Sequence, residues 1–400
     1  MFQRAFLLIL FWAAPIQSFV SAVFSESTRQ RDVFGQFVWV EQGNYGRWVE
    51  YSVFVAISLC LVLSALPIRE NASRTKVHFK PYVVVLFAVT VISLALNYSG
   101  WGLENTFRIV LFLACCGYFL TQKITDLSLK SLRVSSVLLV VSVLLFSMLK
   151  SSYAFGPCRS DKCSPFGTLL NGYFPHENFL ALVILAIFPL LSTLDARWWR
   201  AAFQAAALVI IFASGARTVY IAILIYMLLR IRFFVGISKY VPAIMTIVSL
   251  GVFAFVRGFD LSGRGLVYEV VADSLKSNWF LGGGPTALSS AYETGSIPFL
   301  AYHEHGAAPY ILARFGAVVF LGVMTVFILR ARSWEIDKNS KTIPLTWLPF
   351  IATTLTFASE TTLQFNISSA FAWTLMIYLA NGSQEKSSVS QTIKPVTSIS

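Results

Sequence analysis

The chain has 400 residues, of which 56% are hydrophobic and 12% are charged, and its mean hydropathy is +0.69. In soluble globular proteins about a quarter of all residues are charged, so this composition excludes an ordinary soluble domain. Apolar runs of about 18 to 20 residues recur along the chain, and each could cross a hydrocarbon core of roughly 30 Å.

These runs predict an all-α polytopic membrane protein with about twelve transmembrane helices. The predicted spans are 4–24, 48–68, 81–97, 104–121, 132–150, 177–195, 199–214, 216–232, 239–256, 307–329, 344–359 and 366–380. Residues 1–380 would form a single integral-membrane domain, and the polar, Ser-rich residues 381–400 would be a disordered cytoplasmic tail. The first span also resembles a secretory signal peptide, because Arg4 precedes a short apolar run that ends in small residues. Both alternatives place residues 25–47 outside.

The net charge of +12 could suggest a nucleic-acid partner, but its distribution indicates a membrane orientation instead. With the N-terminus inside, 19 of the 31 lysines and arginines fall at inner loops and ends, against six of the 19 acidic residues. This asymmetry follows the positive-inside rule, so no nucleic acid is predicted. The chain is predicted to be a multi-pass membrane protein, with the large loop 257–306 between spans 9 and 10 facing outward.

The five cysteines divide into two groups. Three lie within apolar spans, where packing is the expected role: Cys60, Cys115 and Cys116. Cys158 and Cys163 lie in the outward loop 151–176, where an oxidising compartment permits a disulfide. Free thiols are the alternative, because zinc needs more ligands than this loop supplies.

Three histidines fall at the outer ends of spans: His176, His303 and His305. A single histidine there is often an amphipathic anchor. In Tyr-His-Glu-His, however, two imidazoles and Glu304 directly precede the tenth span, where a rigid helix end would hold a catalytic base. Metal binding is a weaker alternative, because residues two apart point in opposite directions.

Four arginines are predicted in or beside the outer half of the bundle: Arg108, Arg217, Arg264 and Arg314. Charged side chains are costly at that depth and indicate a functional site. Since arginine binds phosphate oxygens bidentately, a phosphate or pyrophosphate is one ligand that fits. The alternative is interfacial arginines that pair with carboxylates, for which the candidates are Glu104, Glu177 and Glu360.

The loop 257–306 has two recognisable parts. After Arg264, the residues Leu266, Val267, Val270, Val271 and Leu275 share one face, which predicts an amphipathic helix lying on the bilayer. The glycine-rich segment 281–288 lacks the features of a nucleotide-binding loop. It is typical of a flexible turn that a ligand or another backbone approaches closely.

Four segments together resemble the family of O-antigen ligases and polysaccharide polymerases, which are bacterial membrane glycosyltransferases. Residues 172–191 are similar to the family's segment with Gly and Asn six apart, here ending at Asn178, and residues 214–225 to its Ser-x-Ser-Arg motif. Residues 262–285 resemble its Gly-Arg, aromatic, Gly-x-Gly pattern, and residues 305–322 its His-Asn helix. Gly306 replaces the family's Asn, and the region that contains the four segments covers about 150 of 400 residues.

The resemblance implies an enzyme that takes a glycan from an undecaprenyl-pyrophosphate carrier and passes it to an acceptor hydroxyl, without a metal or other cofactor. It implies that Arg217 and Arg264 hold the pyrophosphate and that His305 orients or deprotonates the acceptor. Further substrate-binding candidates are Arg314, His303, Glu304, His176 and Asn178. Partners would be the carrier-linked glycan, a glycan or lipid A-core acceptor, and the bilayer. The resemblance also implies a bacterial inner membrane, with the loop 257–306 and the active site facing the periplasm.

Three functions within the family remain open: polymerase, ligase and protein O-glycosylation. The loose Ser-x-Ser-Arg match and Gly306 favour an O-antigen or exopolysaccharide polymerase slightly. The alternative from another class is a transporter or flippase of polysaccharide or lipid-linked glycan. Transporters usually show internal repeats and broken helices near the midplane. The sequence has no self-similar halves, and its polar residues gather at the outer ends of spans.

Overall fold

A computed structural model gives the fold. It describes residues 2–24, 30–31, 37–38, 44–65, 90–91, 98–121, 126–158, 162–229, 240, 244, 269, 271–273, 275–276, 278–284, 307–332, 348 and 351. These residues are mostly helical, as the sequence predicts.

The helices are α1 (Phe2–Phe24), α2 (Asn44–Ala65), α3 (Tyr98–Thr121), α4 (Asp126–Leu149), α5 (Ser151–Ala154), α6 (Glu177–Leu191), α7 (Arg197–Ser214), α8 (Arg217–Leu229) and α9 (Ala307–Arg332). Two short antiparallel pairs accompany them: β1 (Gln30–Arg31) with β2 (Phe37–Val38), and β3 (Phe155–Pro157) with β4 (Thr168–Leu170).

Within the described residues, eight of the nine helices coincide with predicted spans, and the very short α5 is the exception. Most bounds agree within a few residues, while α3 and α4 each begin six residues before the predicted start. The predicted spans 81–97, 239–256, 344–359 and 366–380 lie outside the described residues, apart from a few isolated positions. The tail 381–400 also lies outside them.

Two of the described helices are long and apolar enough to cross a membrane: Gln3–Phe24 and Leu127–Leu149. Shorter apolar helical stretches are Trp48–Leu63, Thr106–Cys115, Glu177–Leu191, Arg217–Leu229 and Tyr310–Thr325. By length and composition, the two long helices indicate association with a membrane.

The exposed faces of several helices are apolar. On α2, Trp48, Tyr51, Val55, Leu59 and Val62 follow one another three or four residues apart, and every one is more than 40% exposed. This spacing puts them on one side of the helix. Similar exposed apolar stripes run along α4, α7 and α8. Surface helices of soluble proteins place polar residues on that face instead.

The core joins the opposite faces of the helices. α1 packs against both α2 and α4, and α6 packs against α4 and α7. Phe11 of α1, Leu139 of α4, Ile184 of α6, Ile210 of α7 and Ile311 of α9 are fully buried. Therefore α1 is an integral part of this helical bundle.

The two ends of the α4–α6 pair differ. At one end, Arg133 NH1 lies 3.9 Å from Asp195 Oδ1, and Arg200 Nε donates to the Leu194 carbonyl at 3.0 Å. At the other end, α4 leads through α5 into the β3–β4 hairpin, which leads into α6. The hairpin and the turn before α7 therefore lie at opposite ends, as antiparallel neighbouring spans require.

Candidate functional site

The first turn of α6 carries a compact polar cluster. His176 is the N-cap, and its Nδ1 accepts a hydrogen bond from the Asn178 backbone N–H at 3.1 Å. Lys162 Nζ donates to Glu177 Oε1 at 2.9 Å and also to Asn178 Oδ1. The side chains of Lys162 and Glu177 are only 8% and 12% exposed. The cluster is therefore a buried ion pair joined to an amide and an imidazole.

The β3–β4 hairpin brings Lys162 into this cluster. Cys158 and Cys163 are joined by a disulfide, the pairing expected from the sequence. Ser164 shapes the next turn, because its hydroxyl donates to the Thr168 carbonyl and accepts from Phe166 N–H. Lys162 directly precedes the second half-cystine, so the disulfide and the turn that follows it both restrict its position.

The same hairpin packs against the turn between α7 and α8. Gly215 ends α7 with φ 68°, a left-handed conformation that glycine adopts without steric cost. A Cβ at Gly215 would lie 2.6 Å from Leu169 Cδ2 and 3.4 Å from Ser164 N. The Ser214 hydroxyl accepts a hydrogen bond from Ala216 N–H at 3.3 Å, and exposed Arg217 then opens α8.

Aromatic packing holds the segment before α6. Tyr173 is 1% exposed and packs edge-on against Phe19 of α1 and Phe146 of α4, each with ring centroids 5.5 Å away. Burial raises the pKa of Tyr173 to about 12, although its hydrogen bond with Ser142 acts in the opposite direction. The neutral phenol therefore anchors this segment to the bundle.

A second junction joins the glycine-rich segment to α9. Gly316, with φ 77° and ψ −178°, interrupts the helix. The gap is filled by hydrogen bonds from Gly283 N–H to the Ala313 carbonyl at 2.7 Å and from Ala317 N–H to the Trp279 carbonyl at 2.8 Å. These bonds satisfy backbone groups that a broken helix leaves without intrahelical partners.

No side chain could fit between the two backbones of this junction. A Cβ on Gly282 would lie 2.6 Å from both Arg314 C and Gly316 N. A Cβ on Gly316 would overlap the Phe280 carbonyl oxygen and lie 2.5 Å from Gly282 N. The close approach expected for the glycine-rich segment is thus made by the backbone of α9.

Arg314 lies in the last turn before the break. Its guanidinium carbon is 4.9 Å from the centroid of the Tyr310 ring, which places the charge over an aromatic face. Its carbonyl accepts a hydrogen bond from Gly284 N–H at 3.2 Å. The junction therefore fixes the backbone on both sides of this arginine.

The structure corrects one prediction for the preceding segment. Val271 is completely buried, and Leu275 packs against the helical core. Glu269, Asp273 and Lys276 are exposed. At these two apolar positions the segment therefore packs against protein, whereas Leu266, Val267 and Val270 lie outside the described residues.

Arg108 pairs with a carboxylate, as the alternative for the four arginines expects, although this carboxylate is not one of the three named candidates. Arg108 NH2 lies 3.2 Å from Glu50 Oε1, and its guanidinium carbon is 5.5 Å from the centre of the Phe54 ring. Glu177 pairs with Lys162. Glu50 and Glu177 lie in different elements from their partners Arg108 and Lys162, so helical spacing in the sequence could not predict either pair.

Four predicted site residues lie outside the described residues: Arg264, His303, Glu304 and His305. The structure brings together His176 and Asn178, and it places the turn before Arg217 against the hairpin that carries their partner Lys162. Among the described residues, no group of three or more His, Cys, Asp or Glu is placed to hold a metal ion.

Sequence reasoning missed Lys162 and the pairing of Gly282 with Gly316. Lys162 meets residues 15 and 16 positions away, and the two glycines are 34 positions apart. The one available signal was the glycine run itself, which indicated close approach without identifying a partner. The first cluster lies beside the hairpin that packs against the arginine-bearing turn.

Comparison with protein-family models, with curated proteins and with solved structures finds no match to this chain.

Proposed function

We propose that this protein is a multi-pass inner-membrane protein of a bacterium, with about twelve spans and the loop 257–306 in the periplasm. The exposed apolar stripes on α2, α4, α7 and α8 support the proposal, because lipid is the solvent in which such faces are stable. The opposite ends of the α4–α6 pair add support. The end with Arg133 and Arg200 is basic, and the other carries the disulfide.

We further propose that it transfers or polymerises a glycan carried on undecaprenyl pyrophosphate, at the periplasmic face. The observation that carries this proposal is the pairing of the four segments that resemble the ligase and polymerase family. The hairpin relates residues 172–191 to residues 214–225, and the glycine junction relates residues 262–285 to residues 305–322. Four sequence-distant segments that meet in pairs are expected of one site.

In this reaction the bond between the anomeric carbon and the pyrophosphate oxygen breaks as the acceptor hydroxyl attacks from the opposite side. The electron pair leaves with the pyrophosphate, where Arg217 and Arg264 stabilise the developing charge. His305 takes the hydroxyl proton, and Glu304 or His303 tunes it. In-line attack inverts the anomeric configuration. Arg314, His176 and Asn178 would bind the substrate.

The test is complementation of a deletion strain with Arg217→Ala, Arg264→Ala and His305→Ala variants. Each should lower glycan transfer by about a hundredfold or more while protein levels stay unchanged. Arg197→Ala is the matched control, because this exposed arginine begins α7 at the opposite end of the α4–α6 pair. Wild-type transfer by the Arg264 and His305 variants would overturn the assignment.

The acceptor follows from the glycan that accumulates in the deletion strain. Long polymer on the carrier identifies a ligase, and single repeats on the final acceptor identify a polymerase. Loss of glycan from a secreted protein would identify protein O-glycosylation. We slightly favour the polymerase, for an O-antigen or an exopolysaccharide, because Gly306 stands where the family's pattern has Asn and because the Ser-x-Ser-Arg match is loose.

The break in α9 favours one second candidate, a polysaccharide transporter or a flippase for lipid-linked glycan. Discontinuous helices are a common feature of transporters, and Gly316 interrupts a helix that the sequence predicts to be continuous. A flippase deletion would trap single repeats on the cytoplasmic leaflet, whereas a transferase deletion leaves carrier-linked glycan on the periplasmic leaflet. Leaflet-specific labelling of the carrier-linked sugar distinguishes them.

A further inference from the structure

We infer that the turn between α6 and α7, residues 192–196, and the arginines beside it bind the phosphate of an acidic phospholipid in the inner leaflet. The inference rests on the membrane location and orientation proposed above, which put this end of the bundle at the cytoplasmic surface. It adds a lipid partner that glycan transfer at the opposite face does not itself require.

Two arginines from different helices converge on Asp195 in this turn. Arg133 of α4 approaches its side chain, with NH1 3.9 Å from Oδ1. Arg200 of α7 binds the backbone, because NH2 donates to the Asp195 carbonyl at 3.4 Å and Nε donates to the Leu194 carbonyl at 3.0 Å. Exposed Lys130 lies one turn before Arg133, on the same side of α4. The turn therefore has an excess of positive charge over its one carboxylate.

The charge of Arg133 is poorly compensated. Its 3.9 Å separation from Asp195 is longer than a hydrogen bond, and the Asp195 side chain is fully exposed, where water weakens the attraction. Arg133 Nε is buried and makes no hydrogen bond to any of the described residues. Burial without hydrogen bonds destabilises a charged group unless an opposite charge lies close to it. The side chain is 23% exposed, so an anion can approach its outer edge.

Two tryptophans place the turn at the depth of the lipid headgroups. Trp198 and Trp199 follow the turn at the start of α7 and are 87% and 63% exposed. Tryptophans are enriched where the hydrocarbon core of a membrane meets the headgroups. Trp199 stacks on Phe203, one turn farther along α7, with ring centroids 5.8 Å apart. Arg200, which directly follows this tryptophan pair, therefore lies at the level of the lipid phosphates.

This combination of side chains fits a phospholipid better than a soluble anion. Arginine binds phosphate oxygens bidentately, and basic pockets between helices at the cytoplasmic surface suit acidic headgroups. A soluble phosphate would meet the arginines but leave the tryptophans exposed, whereas a phospholipid covers both. A zwitterionic headgroup carries its own cation close to its phosphate. An acidic headgroup is therefore the better partner for a turn with excess positive charge.

Arg133→Gln tests this site in the purified full-length protein. Phosphatidylglycerol is added to the protein in a neutral detergent, bound lipid is counted by native mass spectrometry, and thermal unfolding is followed in parallel. The wild type should bind phosphatidylglycerol roughly tenfold more tightly than phosphatidylcholine and unfold at a higher temperature in its presence. Arg133→Gln should bind it roughly fivefold more weakly. Without lipid the variant should unfold at no lower temperature, because the buried Nε makes no hydrogen bond that could be lost.

Asp195→Asn should change lipid binding in the opposite direction. It removes the carboxylate that competes with a lipid phosphate, so phosphatidylglycerol should bind roughly fivefold more tightly. Its side chain is fully exposed, so the fold should be retained, and this variant keeps the test decisive if Arg133→Gln does not fold. Lys150→Gln is the matched control, because exposed Lys150 directly follows the other end of α4 and should leave lipid binding unchanged.

Equal binding of the two lipids by the wild type would overturn the inference. So would binding of phosphatidylglycerol that is unchanged in Arg133→Gln or Asp195→Asn, or that falls as much in Lys150→Gln. Inorganic phosphate at the same concentration should not shift the unfolding midpoint. An equal shift with inorganic phosphate would mean a site for a soluble anion and would contradict a lipid partner.

The lipid site and the proposed function can fail separately. Recovery of the protein in the soluble fraction of lysed cells would remove the membrane location, and both proposals with it. A membrane protein without a preference for phosphatidylglycerol contradicts the lipid site alone. If Arg264→Ala and His305→Ala transfer glycan normally while phosphatidylglycerol still binds through Arg133, glycan transfer at the proposed residues fails and the lipid site stands.

Discussion

Two loops of this protein each pack against an interruption between helices, and an arginine stands beside each interruption, yet different chemistry holds each loop. The hairpin meets α6 through the Lys162–Glu177 ion pair, and the Cys158–Cys163 disulfide closes the hairpin loop. Leu169 and Ser164 place the hairpin against Gly215 of the α7–α8 turn. The glycine-rich segment meets the break in α9 through backbone groups, at Gly282 and Gly316.

Because their contacts differ, the two junctions should be weakened by different changes in conditions or sequence. Ion pairs and disulfides depend on charge and redox state, and they can be rebuilt by complementary substitution. Contacts between two backbones depend on the absence of side-chain atoms, so no residue larger than glycine can replace either glycine of the junction. The hairpin should therefore be sensitive to its environment, and the glycine junction should be sensitive to almost any mutation.

The largest effect is expected from Gly316→Ala. The new Cβ would overlap the Phe280 carbonyl, and the alanine would have to adopt an unfavourable positive φ. The segment 279–284 must therefore move away from α9, which should lower the free energy of unfolding by about 3 kcal/mol or more. Tryptophan fluorescence during thermal unfolding in detergent measures the shift. Gly167→Ala is the control, because Gly167 has φ 75° but open space within 4 Å, and it should cost only about 1–2 kcal/mol. Equal shifts would show that backbone strain alone matters.

A comparable but repairable loss is expected from Lys162→Met. The change leaves Glu177 buried without its ion-pair partner, which costs about 3 kcal/mol. Adding Glu177→Gln should recover most of that stability, because the remaining side chains are neutral. The same unfolding measurement checks both. Failure of the second substitution to recover stability would mean that Lys162 contributes through packing and not through its charge.

The smallest of the three effects is expected when the disulfide is removed. Cys158→Ser with Cys163→Ser opens a ring of six residues, which should lower stability by about 2 kcal/mol. A reducing agent should lower the unfolding midpoint of the wild type equally and leave that of the double variant unchanged. A shift of the double variant under the same reagent would point to a thiol other than this pair.

The sequence predicted the elements of the fold better than their contacts. Apolar runs in the sequence located α1, α2, α4 and α6, of which α1 and α4 are long and apolar enough to cross a bilayer. The first turns of α3 and α4 were not predicted, because polar first turns such as that of Asp126–Lys130 carry little hydropathy signal. Helical continuity at Gly316 was also predicted wrongly, because a glycine within an apolar run does not by itself indicate a break.

The candidate site was predictable only where a residue type carries its own indication. His176, Asn178 and the two half-cystines stood out by type and motif. Lys162 did not, because a lysine in a loop is ordinarily solvated and its burial depends on Glu177 in another element. The pairing of Arg108 with Glu50 was missed for the same reason, because it joins two helices.

The glycine junction also has a consequence for evolution. Every other residue would add a Cβ at these positions and overlap the facing backbone. Gly282 and Gly316 should therefore be retained or lost as a pair in homologues. Trp279 and Phe280 contribute their carbonyls to this contact, and their side chains should vary more freely than the glycines around them. Joint loss of the two glycines would mark lineages in which the tenth predicted span has become a continuous helix.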